Sequence, residues 1–109
     1  MKTYATLKNW ALVGFDLEHG GPMSSYTAPE RIEWRLTGNV YNHPNQSRHY
    51  DGKSIVTAAL VRYDRVADLF ITRSGNRYRI EDPDPEYEKM VPNARQRLIA
   101  QAEVLEARG

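Results

Sequence analysis

Between Ile32 and Ile80, three apolar segments with strand-like alternation are separated by two polar, sharply turning inserts, Tyr41–Gly52 and Arg73–Arg77. Successive side chains of a strand point to opposite faces, so an apolar set of one parity fixes which face is buried. Ile32, Trp34, Leu36 and Val40 share a parity with Gly38, whereas Glu33, Arg35, Thr37, Asn39 and Tyr41 share the other. This predicts a strand over 32–41 with its even positions facing inward and a bend at Gly38. On that reading Trp34 belongs to the core, and Trp34→Ala costs about 3–5 kcal/mol.

The run from Ile55 to Tyr63 is rich in β-branched and apolar residues but alternates weakly, as in a strand buried on both faces or strongly curved. Leu69–Thr72 and Tyr78–Ile80 flank Arg73-Ser74-Gly75-Asn76-Arg77, whose Ser-Gly-Asn supplies the positive-φ residues of a tight hairpin. Upstream, Trp10–Phe15 reads as an opening strand, with a short helix from Thr3 as the alternative. His19–Pro29, with Gly20, Gly21, Pro22 and two serines, reads as a flexible loop.

Downstream, Asp82-Pro83-Asp84-Pro85 excludes a central strand and suits a short helical turn with Pro85 in its first position. From Pro92 a second helix is predicted, in which Ala94, Leu98, Ala102 and Leu105 form the stripe that docks on the sheet. The fold class is therefore mainly β with a C-terminal helix (α+β), a small curled antiparallel sheet or open barrel closed by that helix. A chain of 109 residues forms one domain. Its parts are an N-terminal strand and loop over 1–31, a β-meander over 32–81, and a proline-rich turn with a helix over 82–109.

With 40% hydrophobic and 27% charged residues the composition is that of a globular protein, and no apolar run approaches the roughly 18 residues of a membrane span. The first residues lack the apolar stretch of a secretory signal, and the chain has no cysteine. Disulfides and thiolate chemistry are excluded, and a cytoplasmic location is expected. A net charge of +1 supplies no global field toward nucleic acid or membrane. Charge is instead distributed in blocks, Arg62, Arg65, Arg73, Arg77 and Arg79 preceding Glu81, Asp82, Asp84, Glu86 and Glu88.

No catalytic pattern emerges. His43, His49 and Asp51 share one insert and could ligate zinc or manganese or act as acid and base. Their spacing matches no known ligand pattern, and the competing reading gives His43 a packing role before Pro44 and Asp51-Gly52 the turn into the next strand. Ser74 with His43 and Asp51 lacks the strand-to-helix elbow of a hydrolase nucleophile. Gly20-Gly21 is followed by no lysine and no apolar helix, so a phosphate-cradling loop is absent. No cofactor or metal is expected.

The collective candidate is a binding face: Tyr41, His43, Arg48, His49, Tyr50 and Lys53 from the first insert, with Arg73, Asn76 and Arg77 from the hairpin. These residue types anchor protein interfaces, and they also stack on bases and clamp phosphates. Two readings follow. One is a non-enzymatic module that binds a protein partner. The other is a nucleotide or single-stranded nucleic-acid binding protein using the same face. A homo-oligomer is compatible with both, and Arg73→Ala with Arg77→Ala should weaken binding without lowering the melting temperature.

The series Gly38-x-Val40-x-x-His43-Pro44, Asp51-Gly52-x-x-Ile55-x-Thr57 and Thr72-x-Ser74-Gly75-x-x-Tyr78, followed by Asp82-Pro83-Asp84-Pro85-Glu86-Tyr87, resembles a group of short uncharacterised proteins of bacterial chromosomes, plasmids and phages. The resemblance covers about half the chain and consists of turn and strand residues. It implies a mobile-element context, in which an accessory protein inhibits or modulates a host protein such as a defence machine. No residue role carries over from it.

Overall fold

The computed structural model describes residues 4–109. Five strands close into a barrel in the order β1 (Ala5–Asp16), β2 (Ile32–Tyr41), β3 (Lys53–Asp64), β4 (Leu69–Thr72) and β5 (Arg77–Ile80). Neighbours in sequence pair antiparallel, as the meander reading requires. Closure comes from a parallel pairing of β5 with the start of β1, through Ala5 with Tyr78, Thr6 with Arg79 and Leu7 with Ile80. The barrel is thus closed by strand pairing. Two helices follow, α1 (Pro85–Met90) and α2 (Ala94–Arg108).

β1 is longer than Trp10–Phe15 and begins at Ala5; of the alternative helix, Thr3 lies outside the described residues, Tyr4 is irregular and the rest is strand. The cause is an irregularity between Lys8 and Ala11, with Asn9 at φ 52°, which breaks the alternation while keeping both Leu7 and Trp10 fully buried. Opposite lies Gly38, at φ 157°, where a Cβ would sit 2.9 Å from the Lys8 carbonyl oxygen and 3.2 Å from Trp10 Cα. Glycine is required there because the two backbones approach too closely for a side chain.

The predicted parity of β2 holds for Leu36, Gly38 and Val40, which are buried. It fades toward the start of the strand, where Ile32 and Trp34 are half-buried and Glu33 is buried. Trp34 therefore stands at the rim, and the tryptophan of the core is Trp10, fully buried, with Nε1 donating to the Glu81 carbonyl at 2.7 Å. In β3, Ile55, Thr57 and Ala59 alternate inward until the ladder shifts near Leu60, so strand curvature explains the weak alternation.

One apolar cluster joins Leu7, Trp10, Leu36, Val40, Phe70 and Ile80 with Ala94, Leu98 and Ala102 of α2. The helical stripe is thus the predicted one, with Leu105 packed against its edge. The helix itself starts at Ala94, because Pro92 stands before it and Asn93 takes the left-handed conformation at its N-cap. α1 begins as predicted at Pro85, with Asp84 as N-cap accepting from the Tyr87 amide at 3.1 Å.

The 17–31 segment is tied to β1. Asp16 accepts from the Glu18 and His19 amides at 2.8 and 3.1 Å and from the Thr27 hydroxyl at 3.0 Å, and the Met23 amide bonds the Gly14 carbonyl. None of the described helices is long and apolar enough to cross a membrane.

Candidate functional site

Antiparallel pairing of β2 through β5 brings the β2–β3 insert and the β4–β5 hairpin to the same end of the barrel, where β1 also begins. Tyr78, at the start of β5, links them. Its ring centroid lies 6.4 Å from that of His43, and its hydroxyl meets the Asn76 side chain in the hairpin. Burial raises the Tyr78 pKa above that of a free phenol.

The insert has no regular secondary structure, yet its polar groups are largely satisfied by one another. His43 is buried, its Nδ1 accepting from the Asn45 amide at 2.9 Å while its carbonyl accepts from Gln46 Nε2 at 2.8 Å. The Asn45 side chain receives the Ser47 hydroxyl and the Arg48 amide, and Lys53 Nζ donates to the Arg48 carbonyl at 2.8 Å. Asp51 accepts from the Asn42 amide at 2.8 Å, and Gly52, at φ 90°, returns its amide to the Val40 carbonyl. The Asp51-Gly52 turn thus forms as the sequence suggests.

Within this frame the rings of His43 and His49 meet with centroids 4.3 Å apart. Burial first and the His49 charge second hold His43 below its ordinary pKa of 6.5. His49 is held below it by burial, then by Lys53 and Arg48. Both therefore favour the neutral imidazole more strongly than a free histidine does, and among the described residues His49 Nδ1 is buried without a hydrogen-bond partner. Among the described residues, no three histidine or carboxylate groups converge to hold a metal ion. His43 Nδ1 and Asp51 Oδ1 are already engaged within the loop.

Of the nine residues singled out in the sequence, Arg48 and Tyr50 stand outward from the insert, Tyr50 being 60% exposed, while His49 and Lys53 are half-buried. Lys53 Nζ lies 5.7 Å from the Tyr50 ring centroid, and Lys8 Nζ lies 4.9 Å from that of Tyr41. Lys8 carried no sequence signal, because only the pairing of Thr6 with Tyr41 brings it there. In the hairpin, Asn76 and Arg77 are exposed. Arg73 is exposed too, but it turns away from the insert toward β2, where its Nη1 lies 3.3 Å from Glu33 Oε2. Glu33 also receives Arg35 Nε at 2.7 Å, so the buried carboxylate has two cationic partners. Ser74 bonds the Thr72 hydroxyl at 3.0 Å.

No family model, no curated protein and no solved structure matches this chain.

Proposed function

We propose that the protein is a non-enzymatic interaction module that docks on a protein partner through the loop end of its barrel, with Tyr41, Arg48, Tyr50 and Lys53 as the contact residues. The mobile-element resemblance favours a host protein, such as a defence complex, that is inhibited or modulated by the docking. One observation carries the choice of a protein over a nucleic acid: Lys8 and Lys53 already lie over the Tyr41 and Tyr50 rings. The ring faces and the ammonium groups that would grip base and phosphate are committed to each other. Such paired tyrosines and lysines form a mixed apolar and charged patch of the kind found at protein interfaces. The internally bonded loop beneath them reduces the ordering cost of association.

The test is capture of partners from the native host by the tagged protein, with identification by mass spectrometry, beside a Tyr50→Ala Arg48→Ala variant. A stoichiometric protein complex that resists added salt and is lost in the variant, at unchanged melting temperature, is the expected result. Recovery of oligonucleotides whose binding falls steeply with salt would replace this reading with the nucleic-acid one.

A further inference from the structure

At the other end of the β1–β2 hairpin lies a groove of about 360 Å³ lined by Leu12, Val13, Phe15, Met23, Trp34 and Met90, with Tyr87 and Pro22 completing its wall. Among the described residues, no charged side chain lines it. Met90 is 80% exposed and Met23 is 42% exposed, so two flexible thioethers flank the half-buried Trp34 ring. Methionines around an aromatic floor adapt to apolar side chains of different shapes.

The surroundings of the groove select among occupants. α1 supplies Tyr87 and Met90 to the wall and carries exposed Glu86 and Glu88 beside them; exposed Glu81 and Asp82 precede it in the chain. The single cation of that helix, Lys89, is spent on Glu86 at 3.6 Å. Beyond α1, Glu81, Asp82 and Glu88 converge with Arg95 on a second cleft. On the opposite side stands Arg35, 5.5 Å from the Phe15 ring centroid and held by Glu33. A second copy placed symmetrically would bring the same acidic helix against itself, which like-charge repulsion disfavours.

We infer that this groove receives a short amphipathic segment of a partner protein in which apolar side chains are flanked by lysine or arginine. The apolar side chains enter between Met23, Trp34 and Met90, and a flanking cation meets Glu86, one turn before Met90 on α1 and held by Lys89 only in a solvent-exposed contact. The groove holds only one or two side chains, so the affinity lies in the micromolar range expected of a small docking site. This surface is distinct from the loop end and stands or falls independently of it.

The experiment titrates the full chain into three fluorescein-labelled peptides, a leucine–lysine amphipathic peptide, its leucine–glutamate counterpart and a serine–lysine peptide, with anisotropy as readout. The leucine–lysine probe should bind at least about tenfold more tightly than either control. It should shift protein tryptophan emission to the blue in the parent but not in Trp34→Phe, since Trp10 is already buried. Met90→Asp, at an exposed position that leaves folding intact, should abolish binding, and Glu86→Gln should weaken it several-fold. Equal binding of the leucine–glutamate or serine–lysine peptide would overturn the inference, as would binding untouched by Met90→Asp. Self-association in sedimentation that Met90→Asp abolishes would give the groove to a second copy and equally overturn it.

Discussion

Of the two tryptophans, only Trp10 should be indispensable to the fold. Its side chain is fully buried, its Nε1 donates to the Glu81 carbonyl at 2.7 Å, and its ring lies 5.9 Å from that of Tyr87. An aromatic side chain buries about 150–250 Å², which at about 25 cal/mol per Å² is worth about 4–6 kcal/mol. Measured truncations of buried aromatics give about 3–5 kcal/mol, and the orphaned Glu81 carbonyl adds about 1 kcal/mol. Trp10→Ala should therefore cost about 4–6 kcal/mol against a net stability of about 5–15 kcal/mol. At about 4–8 °C per kcal/mol, the melting temperature falls by at least about 15 °C. Trp34→Ala loses only groove contacts and should cost about 1–2 kcal/mol. Urea denaturation followed by far-ultraviolet circular dichroism compares both variants without relying on tryptophan emission, provided the slopes agree. If Trp34→Ala proves as costly as Trp10→Ala, the assignment of Trp34 to the rim is wrong, and with it the groove.

The remaining predictions concern buried ionisable groups. Arg73→Ala should cost about 1 kcal/mol or less, since Arg35 keeps Glu33 paired. Arg35→Ala with Arg73→Ala should cost about 3–5 kcal/mol by leaving that carboxylate buried and alone, and strict additivity in a double-mutant cycle would refute the shared partnership. His43 and His49 both have folded-state pKa values below 6.5, so the unfolded chain takes up protons first as pH falls. Their contribution is fully present above about pH 6.5, declines as pH drops below it, and levels off under the folded-state values. Urea melts at pH 8 and pH 5 should show a loss of stability that is smaller in His43→Gln His49→Gln. Equal losses in variant and parent would show that the paired imidazoles are not its source.

What could be read from the sequence was what neighbours in the chain decide. The Gly75 hairpin, the Asp84-Pro85 helix start, the Asp51-Gly52 turn and the stripe of Ala94, Leu98 and Ala102 each depend on residues within a few positions, and each formed. What could not be read depends on pairings between distant segments. The shift at Asn9, opposite Gly38, decides that Trp10 rather than Trp34 fills the core, and nothing local to Asn9 announces it. Buried Glu33 takes its second cationic partner, Arg73, from a hairpin forty residues away. The candidate face was legible as composition but not as geometry. The order of strands brings the two inserts to one end, yet His43 goes inside to anchor the loop and Arg73 turns toward β2.

The same division explains why a polar insert can be both irregular and well defined. A loop of this length without internal bonds would have to be ordered by its partner, and the ordering cost would come out of the affinity. Here Asn45, Gln46, Asp51 and Lys53 direct their side-chain bonds at the backbone of the insert itself, while the His43 ring packs at a tilt between His49 and Tyr78. The polar inventory is thereby spent on holding shape. What faces outward, beside the half-buried Tyr41 and Lys53, is the Tyr50 ring, the Arg48 guanidinium and the hairpin residues Asn76 and Arg77. A surface built this way gains specificity from the position of a few side chains on a fixed frame. Substitutions in the frame should therefore act through shape, whereas substitutions at Tyr50 or Arg48 should act on contact alone.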